Sequence, residues 1–423
     1  MKRSGLRSGF GAALLAGTAI WACDGGSSVV TPGPEDASPV SSIQASSEAG
    51  PPGRGAEDSA TPDTGADVGA VPDAPDAPPG VADAALPEPL CLRSPTEPCL
   101  ARLDLGIGKL PYYRSHPLDR PHPAILELVL VQHGNSRNAW DYYDTMSGLA
   151  TIEAPAQTAV LAPHFQILGD LPPSGDLYWY NDDWKAGLAA RNGATESYAA
   201  LDALLVAAKS AFPNLKRVTI VGYSAGGQTI QRYAAGNGEH DRTPAIATRY
   251  VVGSPGSYMY LDERRLRPDV ACSDAPSCAA TATSFEVPSY APGCESADPR
   301  TVAGGGGYDD YKFGLVNRVG YLARVSDAAL KAKYVARKVV YLLGAGDSDS
   351  SSGTAYSVLD RECPAMVQGP LNSSFRLQRG LVYHRYITLL FAAAHRVSVI
   401  PVCKHDEACV FASPAAKLEI FGP

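Results

Sequence analysis

The sequence predicts an α/β protein built on a mostly parallel central sheet with helices on both faces. Three observations carry this expectation: continuous apolar runs of strand length, stretches of helical spacing between them, and turn-forming residues at the junctions. Ile125 to Gln132 (ILELVLVQ) is the first such run, and an uninterrupted apolar run of this kind suits a strand buried on both faces. Comparable runs occupy Thr158–Pro163, Arg217–Tyr223, Thr248–Gly253, Lys338–Gly344 and Arg396–Val402. Between them Glu196–Ala211, Gly226–Ala235, Ser326–Arg337 and Leu377–Ala394 read as helices. Residues 254–325 break the alternation, being rich in Pro, Gly, Tyr and Cys. They read as a cap-like insertion over the carboxyl edge of the sheet, where open α/β sheets place their sites.

The charge separates this body from what precedes it. Of the formal net charge of −8 on 423 residues, residues 1–23 contribute +3 and residues 24–90 contribute −11; the remainder holds 32 acids and 32 bases. The acidic balance argues against a nucleic-acid partner, because neutralising phosphates requires clustered Lys and Arg. Lys2, Arg3 and Arg7 precede an apolar run from Phe10 to Trp21 that is too short to span a bilayer, so residues 1–22 read as an export signal. Its end, Ile20-Trp21-Ala22-Cys23, resembles the lipobox of bacterial lipoproteins. That resemblance implies a lipid on Cys23 and a membrane anchor at the cell envelope; the alternative is ordinary secretion after cleavage behind Ala22. Residues 24–90 carry twelve Pro and no Phe, Tyr or Trp, which leaves too little apolar surface to offset the entropy of ordering. With Cys23 they form a Pro/Ala/Asp-rich linker over 23–90, ahead of a globular domain over 91–423.

Eight cysteines follow Cys23, an even number that suggests disulfides in an exported chain. Cys91/Cys99 and Cys403/Cys409 are the near pairs, leaving Cys272, Cys278, Cys294 and Cys363 to pair among themselves. A metal reading of Cys403, His405 and Cys409 is weaker in an oxidising compartment, and no metal or organic cofactor is expected.

Gly222-Tyr223-Ser224-Ala225-Gly226-Gly227 joins a strand to a helix, and Gly-x-Ser-x-Gly in that setting is a nucleophile elbow. The turn is tight enough that the residues flanking Ser must lack side chains, and it presents the hydroxyl at a helix N-terminus. An oxyanion formed there needs two donors: the N–H of Ala225, and the N–H of Asn135 in the loop His133-Gly134-Asn135. The imidazole of His133 reads as structural. A Ser hydroxyl needs a base, and the base an orienting carboxylate. Asp347 lies at the end of the Lys338–Gly344 run, with Asp349 as the alternative acid, and His405 follows the last run. His384 and His395 lie in or at the end of a helix, His240 is in a polar loop, and His116, His122 and His164 precede Ser224.

Residues 120–423 resemble the α/β-hydrolase superfamily and, more narrowly, a branch of secreted bacterial and fungal serine hydrolases. The residues that carry this are His133-Gly134-Asn135-Ser136-Arg137-Asn138-Ala139, Ser224-Ala225-Gly226-Gly227-Gln228 with Arg232-Tyr233, Gln368-Gly369-Pro370, and His405-Asp406 before Phe411-Ala412-Ser413. The resemblance implies acyl transfer to water on an ester substrate. A polyester depolymerase or peptidase shares the same triad, and a non-catalytic binding protein on a hydrolase scaffold is the competing class. Trp140, Trp179, Tyr180, Trp184 and Tyr258 lie near the expected mouth and serve either as pocket walls or as core.

Overall fold

A computed structural model of the chain describes residues 91, 99–154, 156–267, 279–288, 307–352, 357–370 and 373–423. The export signal, Cys23 and the linker lie outside the described residues, as do Cys272, Cys278 and Cys294.

The elements are β1 (Leu100–Asp104), β2 (Lys109–Arg114), β3 (Glu127–Gln132), α1 (Ala139–Glu153), β4 (Thr158–Pro163), α2 (Ser197–Ala211), β5 (Arg217–Tyr223) and α3 (Ala225–Gly236). They continue with β6 (Ala247–Gly253), α4 (Asp327–Ala336), β7 (Lys338–Gly344), α5 (Arg376–Phe391), β8 (Arg396–Ile400), α6 (Glu407–Ala412) and α7 (Pro414–Phe421). All eight strands form one sheet in the order β1-β2-β4-β3-β5-β6-β7-β8. Only β2 breaks the parallel run, pairing antiparallel with both β1 and β4. The six apolar runs are the six parallel strands, and the four expected helices are α2 to α5 within a residue or a few at their ends.

Side chains alternate across a strand, so each parallel strand feeds two cores. Leu128, Leu130, Ile220, Tyr250, Val252 and Tyr341 face one core, together with Leu201 and Leu204 of α2, Ile230 and Tyr233 of α3, Tyr334 of α4 and Tyr383 of α5. Val129, Val131, Val221, Val251, Val340 and Leu342 face the other, with Tyr143 and Met146 of α1, Phe411 of α6 and Ile420 of α7. Two buried faces are why these strands read as unbroken apolar runs.

The chain steps outward from β3 to β4 through α1, then returns across β3 to β5 through α2, which packs on the opposite face. This reversal puts the loop after β3 beside the loop after β5, at the carboxyl edge where such sheets open a crevice.

The described parts of 254–325 are partly core: Tyr258, Met259, Tyr260 and Leu261 are fully buried. Tyr258 stacks on Tyr383 of α5 with ring centroids 4.4 Å apart. Cys91 is bonded to Cys99 and Cys403 to Cys409.

Candidate active site

Ser224 caps the N-terminus of α3 with φ 57° and ψ −119°, a conformation that an L-residue adopts only under constraint from its surroundings. The constraint is close packing. A Cβ on Gly222 would lie 2.4 Å from the Gly226 carbonyl oxygen, and one on Gly226 would lie 2.3 Å from that of Gln132. Ser224 N–H donates to Gly253 O at 2.8 Å, and Ser224 O accepts from Gln228 N–H at 3.1 Å. The elbow is therefore packed closely against the ends of β3 and β6.

His405 bridges Ser224 and Asp347. Its Nε2 lies 2.9 Å from Ser224 Oγ, and its Nδ1 lies 2.6 Å from Asp347 Oδ2. With the Nδ1 proton donated to the carboxylate, Nε2 is left free to take the serine proton. Asp347 is buried (2% exposed), and Asp349 is exposed and accepts the N–H of Ser351. Of the two acids weighed from sequence, the structure brings Asp347 to His405.

The acid and base loops are stitched together. Ala345 N–H donates to Ile400 O at 2.9 Å and Gly346 N–H to Cys403 O at 2.8 Å, while Tyr223 Oη donates to Lys404 O at 3.3 Å. The Cys403–Cys409 disulfide closes the loop that carries His405, so those cysteines are not free to ligate a metal. Arg376, at the start of α5 and 2% exposed, brings Nη1 to 3.6 Å from Asp347 Oδ1. Burial pulls the Arg376 guanidinium below its ordinary pKa, and Asp347 pulls it back.

The third wall is the loop after β3. His133 is fully buried, and burial pushes its pKa down to about 3, so the ring is neutral. Its Nε2 accepts the Phe165 N–H at 3.0 Å, which leaves the proton on Nδ1, and Nδ1–H donates to Gly134 O at 2.9 Å. Its role is structural, as expected. Asn135 lines the same cavity as Ser224, and Ala225 is the first residue of α3, where the helix dipole favours negative charge.

These groups open on a cavity of about 250 Å³. Asn135, Ser136 and Asn138 line it from the loop after β3 and Tyr142 from α1; Tyr223 and Ser224 come from the elbow, His405 from the loop after β8, Glu407 from the start of α6, and Val358 also lines it. Burial pushes the Glu407 carboxyl up, with Asp406 adding to the shift. None of the aromatic candidates lines it. Trp179, Trp184 and Tyr258 are core, Trp140 packs edge-on against Tyr113 at 5.4 Å, and Tyr180 is 57% exposed. Trp184 lies instead beneath His133, with ring centroids 4.8 Å apart. Tyr142, Val358, Glu407 and Arg376 carry no signal in the sequence, whereas Ser136, Asn138 and Tyr223 lie inside motifs that do.

No known family model matches the sequence, and no curated protein matches it. Solved structures do. The poly(3-hydroxybutyrate) depolymerase LpqC of Bordetella parapertussis superposes with a TM-score of 0.50 at 18% identity, over 77% of this chain and 90% of that one. Poly(aspartic acid) hydrolase-1 of Sphingomonas sp. KT-1 superposes with a TM-score of 0.49 at 20% identity, over 77% of this chain and all of that one. The chain has the α/β-hydrolase fold.

Proposed function

We propose that this chain is an exported serine hydrolase that cleaves carboxylic esters and is tethered at the cell envelope through Cys23. The observation that carries the reading is the continuous relay Ser224 Oγ–His405 Nε2, His405 Nδ1–Asp347 Oδ2. Ser224 Oγ attacks the ester carbonyl as its proton passes to His405 Nε2. Asp347 holds the imidazole in the productive tautomer and stabilises the imidazolium that forms. The N–H groups of Asn135 and Ala225 receive the oxyanion, each such donor typically worth about 10²–10³ in rate. Collapse expels the alcohol, which takes the proton from His405. Water then enters by the same route, frees the acid and restores Ser224. No metal or organic cofactor takes part in this cycle.

A cavity of about 250 Å³ with a largely polar lining favours short esters. The test is hydrolysis of short p-nitrophenyl esters: Ser224→Ala is expected to lose about 10⁴-fold or more in kcat. An unchanged rate removes Ser224 from the mechanism. If the wild-type fold also fails to take a fluorophosphonate label, a binding protein on a hydrolase scaffold replaces this reading.

A polyester depolymerase is the second reading. Leu168 and Leu171, 66% and 86% exposed, flank Asp170, which is ion-paired to Arg137 of the loop after β3. Exposed apolar side chains on a segment ion-paired to the loop after β3 suit a substrate presented as a surface. Release of soluble acids from a polyester film, lost on Leu168→Ser/Leu171→Ser with p-nitrophenyl acetate turnover intact, would select this reading.

A further inference from the structure

The loop after β3 carries an arginine that the reaction itself does not use. Arg137 stands at φ 55°, and through that turn its own N–H donates to Gly134 O at 3.1 Å. Its side chain folds back over the same loop, with Nη1 donating to Asn135 O at 2.7 Å. The other edge of the guanidinium is taken by Asp170, with Nε to Oδ2 at 2.6 Å and Nη2 to Oδ1 at 3.0 Å. Asp170 is tethered in turn, because its Oδ2 accepts the Ile167 N–H at 2.8 Å. With the His133 Nδ1–H also on Gly134 O, both carbonyls around Asn135 are occupied.

That occupancy has a chemical meaning. A trans peptide points its N–H opposite to its carbonyl. Fixing Gly134 O therefore fixes the direction of the Asn135 N–H, and fixing Asn135 O does the same for the Ser136 N–H. A flip of either peptide would turn a carbonyl toward the cavity, where an oxyanion would meet a negative dipole instead of a donor. We propose that Arg137 is a positioning residue for the oxyanion site, its guanidinium, braced by Asp170, holding the 134–136 backbone with its N–H groups toward the cavity. The proposal rests on the reading of Asn135 N–H as an oxyanion donor. A bidentate guanidinium–carboxylate pair suits the task because its geometry is planar and directional, which a lysine does not reproduce. The same bond network ties the loop to the exposed segment around Leu168.

The test compares Arg137→Ala, Arg137→Lys and Asp170→Asn with wild type on p-nitrophenyl acetate and on inhibition by phenylboronic acid, whose tetrahedral adduct places an oxygen at the oxyanion position. Arg137→Ala is expected to lower kcat about 30-fold, below the full loss of one donor, with KM within about twofold. Boronate inhibition should weaken in parallel, Arg137→Lys and Asp170→Asn should fall between, and Arg137→Ala/Asp170→Ala should be no worse than Arg137→Ala. Retention of wild-type kcat by Arg137→Ala overturns the proposal, as does a loss of kcat with boronate inhibition unchanged. If wild type hydrolyses no ester, the functional reading fails separately, and a crystal structure of Arg137→Ala or Arg137→Lys decides the clamp: an unaltered backbone over 134–136 in both overturns it.

Discussion

Ser224 and His405 reach the same cavity by opposite means. The elbow is held mainly by steric contact between backbones, at Gly222 and Gly226. The base loop is held by side chains and by a covalent closure, through Asp347, Tyr223, Lys404 O and the Cys403–Cys409 bond. Both contain a non-glycine residue at positive φ, Ser224 at 57° and Val402 at 60°. The difference teaches where each half is fragile. One half fails by overpacking, the other by losing its ties.

The largest effect expected from breaking the base side is chemical. Asp347→Asn preserves shape but favours the wrong imidazole tautomer, and should lower kcat about 10⁴-fold on a p-nitrophenyl ester. Asp349→Asn should stay within about twofold of wild type in the same assay, since Asp349 is exposed and contacts the Ser351 N–H. A comparable loss in Asp349→Asn would reverse the assignment of the acid.

On the elbow side the corresponding break is structural. Gly226→Ala drives a Cβ to within 2.3 Å of Gln132 O and 2.6 Å of His133 O, both backbone atoms that cannot turn aside. Destabilisation of about 3 kcal/mol is expected in denaturant unfolding, because overpacking against fixed backbone forces strands apart. A variant of wild-type stability would mean that the β3–β5 edge is more pliant than its contacts imply.

The two halves also differ in how far the sequence discloses them. The elbow is contiguous, and its glycines announce the close approach they permit. The parallel strands are legible because burial on both faces removes polar interruptions. Strands β1 and β2 are not, since no residue of β1 is fully buried and Lys109 opens β2 in solvent. The helices α6 and α7 are short and follow a loop whose interest lay in His405. Chain order and loop position singled out His405 and Asp347, but the choice between Asp347 and Asp349 is settled only by which carboxylate the turn after β7 buries. The cavity wall was the least legible part. Tyr142, Val358 and Glu407 come from three separated segments, and no local pattern marks residues that meet only in the folded chain. Of the aromatics weighed as pocket walls or as core, Trp179, Trp184 and Tyr258 are core, where their area is worth more, and Tyr180 is exposed. Trp184 supports the loop after β3 from below and never reaches the cavity.

Opening the covalent tie is the next smaller perturbation. Cys403→Ala/Cys409→Ala removes a bridge across a short loop, for which the chain-entropy account gives about 2 kcal/mol of stability. The base loop retains Gly346 N–H on Cys403 O and the Asp347–His405 bond. The kcat should therefore fall by less than about tenfold, with KM nearly unchanged, as misorientation of His405 becomes populated. A kcat loss as large as that of Asp347→Asn would show that the disulfide, and not Asp347, sets the position of the imidazole.

The smallest effect concerns the strain that the two halves share. Ser224 cannot be relieved of its conformation without losing the nucleophile. Val402 can be, since its side chain is 93% exposed and it sits in the tight turn closed by Cys403 N–H on Pro401 O at 2.8 Å. A β-branched residue at positive φ costs about 1–3 kcal/mol, whereas glycine there costs only about 0.5–1 kcal/mol in additional unfolded-state entropy. Val402→Gly is thus expected to leave kcat unchanged and to raise stability by up to about 1 kcal/mol, read as a shift of the urea midpoint at constant slope. If the midpoint falls instead, Val402 is held by favourable contacts of its own, and the base loop would then resemble the elbow in being shaped by packing and not by its ties.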